Sequence, residues 1–174
     1  MPAEPERLGG VRVDRVTSQD WPALKALRLE ALADTPIAYL ETLAQARTAD
    51  DASWQARALR GSADGDSCQV IAWSGASAIA TAVGFLDPER PGTAVLAAVY
   101  VAPAARGTGL MDRLLAPVSG WAREHGCRTL RLWVHQDNGR ARVAYARRGF
   151  VETGQAMPYP LEPSQRELAM ELAL

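Results

Sequence analysis

A predicted strand, a turn with two glycines and a long predicted helix follow one another in the middle of the chain, and this succession constrains the fold most. Thr93–Val101 is an apolar run without a charged residue, which predicts a strand covered on both faces. Gly107 and Gly109 then precede a helix predicted for residues 110–125. Because the next predicted strand, residues 128–135, follows this helix directly, parallel pairing is expected in part of the sheet.

The remaining pattern predicts a mixed sheet with helices on both faces, an α/β fold that some schemes class as α+β. The predicted order of elements is β-α-α-α-β-β-β-α-β-α-β-β. The other strands are expected at residues 11–16, 68–73, 79–86, 150–155 and 167–172, with a hairpin turn at Ser74-Gly75 and a loop at 158–163. The other helices are expected between Trp21 and Pro36, at residues 37–46, after Asp50, and from Asn138 to about Arg148.

The length and the charge of the chain limit its class. A chain of 174 residues fits one domain, which would span residues 1–174. The formal net charge of -1 provides no basic field for nucleic acid or for an anionic membrane. Residues 1–10 lack the apolar core of a signal peptide, and no apolar run reaches the roughly 18 to 20 residues that cross a bilayer. We therefore expect a cytoplasmic protein without a nucleic-acid or membrane partner.

The cysteines and histidines do not suggest a metal site. Cys68 and Cys127 are far apart and lack CxxC or paired-ligand spacing. Together with His125 and His135 they give no zinc-ligand set with the usual spacing. We expect two buried, reduced thiols and no metal.

The start of the long predicted helix has the properties of a phosphate site. The first N–H groups of a helix lack intrahelical partners, and the helix dipole favours negative charge there. Glycine lets an anion approach the backbone and permits left-handed φ. A P-loop needs a lysine after the glycines and a Rossmann fingerprint needs GxGxxG, whereas this chain has only Gly107-Thr108-Gly109. The pattern predicts a cradle for a di- or polyphosphate, with a purely structural glycine turn as the alternative.

This turn resembles the cofactor motif of the GCN5-related N-acetyltransferases (GNAT family), V-x-P-x-x-[Q/R]-x-x-G-x-[G/A]. The positions that match it are Val101, Pro103, Arg106 and Gly109. Met111 departs from the motif, because the family usually has Gly or Ala there.

A second block resembles the same family, at the distance from the first block that the family has. Its pattern is N-x-x-A-x-x-x-Y-x-x-x-G-F, and the matching residues are Asn138, Ala141, Tyr145, Gly149 and Phe150. Residues 32–54 and 167–170 also resemble family members, so the resemblance covers essentially the whole chain. It implies a mixed, mostly antiparallel central sheet of about six to seven strands with helices on both faces.

The resemblance implies direct transfer of the acetyl group of acetyl-CoA to a primary amine in a ternary complex. The family's sheet is splayed, commonly at a β-bulge, and the pantetheine arm pairs with strand backbone in the gap. The pyrophosphate lies at the helix start beside an arginine. The implied cofactor-binding residues are Val99, Tyr100, Val101, Arg106, Gly107, Thr108, Gly109, Leu110, Met111 and Asn138.

Tyr145 is the candidate general acid. A phenol with an ordinary pKa of about 10 can protonate a leaving thiolate whose thiol has a pKa of about 8.5. The seven-residue spacing puts Tyr145 on the same helix face as Asn138. A tyrosine that serves only in packing is the alternative.

The general base is not evident, because Thr93–Val101 contains no acid and Trp133 occupies the other position that the family uses. This leaves a water relay, an amine that arrives neutral, or His135, which lies at a strand end where a histidine is often merely solvated. The residues expected to wall the acceptor pocket are Tyr39, Glu41, Trp133 and His135.

The acceptor is expected to be a small-molecule or peptide amine that the sequence does not identify, and the protein is a possible homodimer. Two other classes stay open. A non-catalytic acyl-CoA-binding or regulatory module on the same fold would explain the missing carboxylate, and a nucleotide-binding α/β protein would bind ATP or NAD.

Overall fold

The computed structural model of the protein describes residues 10–63 and 65–174. The prediction that residues 1–10 form no signal peptide therefore concerns residues that lie, except for Gly10, outside this part. Within the described residues, no helix has both the length and the apolar character that spanning a membrane requires.

Seven strands and five α-helices make up the described part of the chain, in the predicted order. They are β1 (Val11–Arg15), α1 (Trp21–Asp34), α2 (Leu43–Thr48), α3 (Asp51–Gly61), β2 (Ser67–Ser74), β3 (Ser77–Leu86), β4 (Thr93–Val101), α4 (Leu110–Glu124), β5 (Thr129–His135), α5 (Gly139–Ala146), β6 (Val151–Tyr159) and β7 (Glu162–Ala173).

The strands form one mixed sheet in the order β1-β2-β3-β4-β5-β7-β6. In this sheet β4 and β5 are parallel, and the other neighbouring strands described are antiparallel. The predicted mixed, mostly antiparallel sheet is confirmed, as is the parallel step across α4.

Two hydrophobic cores cover opposite faces of the sheet. On one face, side chains of α4 such as Leu114 and Val118 pack with Val70 of β2, and α5 also packs against this core. On the other face, Leu27 of α1 and Trp54 of α3 pack with Ile71. Because neighbouring residues of a strand point to opposite faces, β2 contributes to both cores. The predicted helices on both faces are therefore confirmed, and Cys68 and Cys127 are buried and free, as expected.

The helix predicted at residues 37–46 is wrong in its position. Pro36–Ala38 forms one 3-10 turn, Tyr39 is extended, and the helix begins only at Leu43. A capping box sets this start, since the Thr42 hydroxyl accepts from the Gln45 N–H at 3.2 Å and the Gln45 side-chain oxygen accepts from the Thr42 N–H at 2.8 Å.

The loop predicted at residues 158–163 is also wrong, because β6 continues to Tyr159 and β7 begins at Glu162. The prolines that suggested a loop lie where a strand has one neighbour. Pro158 is on the edge strand β6, and Pro163 precedes the part of β7 that pairs with β5. A proline at such a position does not interrupt a second ladder of hydrogen bonds.

Candidate active site

The sheet opens between β4 and β5. Residues 93–95 of β4 pair with residues 129–131 of β5, and no pair follows beyond them among the described residues. The gap forms a cavity of about 890 Å³ that is lined by residues 96–101 of β4, the end of β5, the start of α4 and one face of α5. A cavity of this volume is large enough for an extended cofactor arm.

A β-bulge lies in β4 at the opening. Ala97 pairs with Val83 and Tyr100 pairs with Thr81, so Ala98 and Val99 oppose a single residue of β3. Ala98 has φ 49°, and it is the non-glycine residue with positive φ in the described chain. This left-handed conformation costs an alanine about 1 to 2 kcal/mol, which the surrounding sheet must offset. The bulge implied by the family resemblance is present, and it turns the backbone of β4 where the strand borders the cavity.

Backbone N–H groups are unpaired at the start of α4. Gly107 and Gly109 have φ 76° and 82°, and a Cβ at either position would meet nothing within 4 Å. The hydrogen bonds of the helix begin with the Asp112 and Arg113 N–H groups, which both donate to the Gly109 carbonyl. The described chain offers no backbone partner to the N–H groups of residues 107–111, which line or adjoin the cavity. These donors fit the diphosphate of a nucleotide-containing cofactor.

The predicted residue Met111 lines this cavity and also packs against the core beneath α4. The hydroxyl of Thr108 is turned away from any ligand role, since it donates to the Ala105 carbonyl at 2.6 Å. Leu110 is buried in the core, so only its main chain is available to a ligand.

Arginines surround the diphosphate end of the cavity. Arg106 lines it but donates to the Val101 carbonyl at 2.9 Å and to the Asp34 carboxylate. The hydrogen bond from Arg106 lowers the pKa of Asp34. Arg148 pairs with Asp112 in the first turn of α4 at 2.7 Å. Arg147 is exposed at the cavity and has no ion-pair partner in the described chain. Positive charge therefore surrounds the end of the cavity where the negatively charged diphosphate is expected.

Tyr145 faces the cavity from α5. Its ring packs edge-on against Phe150, with 5.5 Å between the ring centroids. Its hydroxyl has no hydrogen-bond partner among the described residues, and burial raises its pKa, with a smaller increase from the nearby Tyr39. The phenol is therefore protonated near neutral pH and free to donate to a ligand.

Asn138 is the N-cap of α5 and lines the same cavity. Its side-chain oxygen accepts from the Ala141 N–H at 3.2 Å, so the capping role expected from the sequence is present. Its amide NH₂ has no partner in the described chain, which leaves two donors for a ligand.

A second cavity of about 470 Å³ is lined by residues of β4 and of the helices α1 and α3. The two cavities share three lining residues, which are Tyr39, Ala98 and Tyr100. Tyr39 is held in place at this junction, because its hydroxyl donates to the Val99 carbonyl at 3.3 Å and its carbonyl accepts from the Tyr159 hydroxyl at 2.7 Å. Burial raises the pKa of Tyr39 to about 12.

Glu41 lines the second cavity, but its carboxylate is already engaged. Arg28 donates to it at 3.0 Å, and both terminal nitrogens of Arg57 donate to it at 2.8 and 3.1 Å. Burial by itself would raise the pKa of Glu41, but the two arginines outweigh burial and lower it. Glu41 therefore remains ionised and is a poor proton acceptor.

Trp133 and His135 line the first cavity. The guanidinium of Arg131 lies over the Trp133 ring, 4.6 Å from its centroid. His135 is 2% exposed rather than solvated, because it packs against Tyr159. Its Nε2 lies 2.6 Å from the Gln165 side-chain oxygen, and its Nδ1 accepts from the Asp137 N–H. These contacts fit a neutral imidazole whose two nitrogens are both engaged.

The sequence analysis named Tyr39 and Glu41, which line the second cavity, but it missed the polar contacts there that join distant segments. The Tyr100 hydroxyl donates to Glu30 at 2.8 Å, although 70 residues separate them. Arg57 reaches Glu41 from a different helix. Local spacing contains no signal for such contacts, whereas the run of arginines after Asn138 was visible and was not used.

An opened mixed sheet, a glycine-capped helix with unpaired N–H groups and a partly buried phenol surround the same gap, as the resemblance to the GCN5-related N-acetyltransferases implied. A model of the acetyltransferase (GNAT) family matches residues 25–150, and the chain belongs to this family. The sequence-based assignment to this family is thereby confirmed.

Comparison with individual proteins supports the family and the fold. An aminoglycoside N(6')-acetyltransferase type 1 from Stenotrophomonas maltophilia is 39% identical over 67 residues, which is 37% of this chain and 44% of that protein. The match thus spans less than half of that relative's length.

Two solved structures are similar over nearly the whole chain. A GNAT-family acetyltransferase from Streptococcus pneumoniae has a TM-score of 0.77 at 19% identity, covering 94% of this chain and 99% of that one. The PaiA N-acetyltransferase from Thermoplasma acidophilum, solved with coenzyme A, has a TM-score of 0.74 at 16% identity with the same coverage. At these identities the two structures support the fold alone.

Proposed function

We propose that the protein transfers the acetyl group of acetyl-CoA directly to a primary amine, with donor and acceptor bound at the same time. The observation that carries this proposal is the meeting of two cavities at Tyr39, Ala98 and Tyr100, one of them lined by unpaired helix N–H groups. The first cavity would hold the donor and the second the amine. Acetyl-CoA supplies an activated acetyl thioester when it is bound.

The main chain does most of the donor binding in this proposal. The N–H groups of residues 107–111 bind the diphosphate, and Arg147 adds charge at the exposed end. The Asn138 amide and the backbone of β4 from Val99 to Val101 hold the peptide-like arm. A backbone N–H at the bulge around Ala98 would stabilise the carbonyl oxygen on which negative charge develops.

Tyr145 donates the proton that the departing thiolate needs. Its hydroxyl faces the cavity, is protonated and has no protein partner among the described residues, so the proton can be transferred without breaking an existing hydrogen bond. A proton donor is of no use to a module that only binds acyl-CoA. The lack of a carboxylate on β4 supports the non-catalytic module. The presence of Tyr145 in the cavity favours catalysis instead.

The proton of the amine leaves through Tyr100. The Tyr100 oxygen accepts a proton from the ammonium group while its own hydroxyl proton passes to Glu30, to which it is already hydrogen-bonded. Glu41 and His135 fit the role of general base less well. The ionised Glu41 carboxylate is paired with two arginines, and both nitrogens of His135 are engaged.

Two measurements test the proposed function. Calorimetry with coenzyme A should detect binding, and acetyl-CoA with a panel of amines should release free thiol. The panel should include an aminoglycoside, because a relative carries that acceptor in its name. Failure to bind coenzyme A would reject the proposal, whereas binding without turnover of any amine would favour the non-catalytic module. Tight binding of ATP or NAD that coenzyme A does not displace would indicate the nucleotide-binding alternative.

A further inference from the structure

The second cavity carries excess positive charge. Its ionisable lining consists of three arginines, Arg28, Arg57 and Arg60, and one carboxylate, Glu41. Glu41 is ionised, so the lining has a net charge of +2. A cavity with this charge attracts an anionic group and repels a second ammonium group.

Donors remain free in this cluster after Glu41 is satisfied. Arg28 uses its Nε on Glu41, and no protein acceptor among the described residues takes its two terminal nitrogens. Arg57 uses its two terminal nitrogens, which leaves its Nε. Arg60 has no ion-pair or hydrogen-bond partner for its side chain in the described chain, and it is exposed at the cavity mouth.

The arginines are also held in fixed orientations. The Arg28 guanidinium lies 4.4 Å from the centroid of the Tyr39 ring, and the Arg57 guanidinium lies 4.4 Å from that of Trp54. Planar guanidinium groups that are held in place bind a carboxylate with two parallel hydrogen bonds.

The acceptor amine is expected beside Tyr100, which borders both cavities and is hydrogen-bonded to the Glu30 carboxylate. Glu30 itself lines neither cavity, so its charge would act on an ammonium group through the Tyr100 hydroxyl. Asp34 adds no unpaired negative charge, because it is paired with Arg106.

From the net positive charge and the free arginine donors of this lining we infer that the acceptor is an amine that also carries a carboxylate, which the cluster of Arg28, Arg57 and Arg60 binds. The inference rests on the proposed acetyl transfer and narrows its acceptor to amino-carboxylates. Diamines and other polycationic amines are poor substrates by the same argument. A free amino acid and an acidic peptide present the same chemistry, so the experiment includes both.

The test compares amines that differ only in their second group. 4-Aminobutyrate, butylamine and putrescine have matched chains with a carboxylate, a methyl group and a second ammonium group. We expect kcat/KM to fall in that order, with at least about tenfold between 4-aminobutyrate and putrescine. Comparison of kcat/KM for glutamate with that for an acidic tripeptide distinguishes a free amino acid from a peptide as the source of the carboxylate.

Charge-removing variants locate the effect. Arg60→Gln removes an exposed, unpartnered arginine, so it should leave folding intact while lowering kcat/KM for 4-aminobutyrate about tenfold and leaving butylamine unchanged. Arg57→Gln should act in the same direction. Arg47→Gln is the matched control, since Arg47 is exposed on α2 and lines neither cavity.

The outcomes separate the two proposals. Equal or better turnover of butylamine and putrescine would overturn the inference and leave acetyl transfer intact, as would equal effects of Arg60→Gln and Arg47→Gln. Coenzyme A binding without turnover of any amine would reject the proposed function, and this inference with it.

Discussion

At the scale of single residues, surroundings decide which polar groups can take part in chemistry. Tyr145 and Glu41 both lie at the candidate site, but the Tyr145 hydroxyl has no protein partner whereas the Glu41 carboxylate accepts three hydrogen bonds from arginines. The free phenol can donate to a ligand, and the saturated carboxylate cannot readily accept a proton.

Replacement of Tyr145 by phenylalanine should separate catalysis from binding. Tyr145→Phe removes the proton donor but keeps the ring that packs against Phe150. We expect kcat to fall about 100-fold, with little change in the affinity for coenzyme A measured by calorimetry. Wild-type kcat in this variant would assign Tyr145 to packing.

Replacement of Glu30 by glutamine should slow the reaction most at neutral and lower pH. Free amines of ordinary basicity lose their proton only near a pKa of about 10, so the base matters less as the pH rises. We expect kcat/KM of Glu30→Gln to approach the wild-type value at high pH. Glu124→Gln, at an exposed glutamate on α4, serves as control. A rate deficit that is constant across the pH range would contradict the relay.

The ionised carboxylate of Glu167 is expected to lower the free energy of unfolding at neutral pH. Glu167 is 6% exposed, its Oε2 has no hydrogen-bond partner in the described chain, and burial raises its pKa. A raised pKa in the folded state means that this cost is absent below the ordinary pKa of glutamate and grows as the pH rises.

Glu167→Gln should therefore raise the free energy of unfolding at pH 7 by about 1 kcal/mol or more, and the difference from wild type should shrink toward pH 4. Urea unfolding at the two pH values measures it. A gain that is equal at both values would contradict the role of ionisation.

At the scale of elements, the N-terminus of α4 contributes both to folding and to the proposed binding of the cofactor. Gly109 is the N-cap of this helix with left-handed φ, and it borders the cavity. The same residue thus ends the turn and keeps the first N–H groups accessible.

Gly109→Ala should lower both the stability of the fold and the affinity for coenzyme A. We expect a loss of about 1 to 2 kcal/mol in the free energy of unfolding from the left-handed φ, and a weaker affinity for coenzyme A. Gly120→Ala, in the same helix with open space beside it, should stabilise by about 0.5 to 1 kcal/mol without affecting the affinity. Calorimetry and urea unfolding of the two variants provide the comparison, and unchanged coenzyme A binding in Gly109→Ala would argue against the cradle.

Elements with local signals were predictable. The glycines before α4 and Asn138 before α5 mark helix starts by their own chemistry, so the bounds of these helices followed from the sequence. The helix at residues 37–46 was misplaced because Pro36 was taken to open it, whereas the capping pair Thr42 and Gln45 sets the start. Pro158 suggested a loop because an edge position cannot be recognised before the strand order is known.

At the scale of the whole molecule, what the sequence could not predict depends on contacts between distant segments. The first cavity is lined by continuous blocks of sequence, so the sequence could place these residues near one another. The second cavity combines α1, the segment after it, α3 and β4, so its excess of arginines emerges only when these elements pack. The burial of His135 and Glu167 likewise requires the pairing of β5 with β7.

The short parallel contact between β4 and β5 has a mechanical consequence. Three paired residues on each strand join β1–β4 to the other strands within the plane of the sheet. A pantetheine arm lying in the gap would add main-chain-like hydrogen bonds beside this narrow seam. The bound arm would then connect the two parts of the sheet on either side of the gap. The sheet is therefore expected to be more rigid with the donor bound than without it.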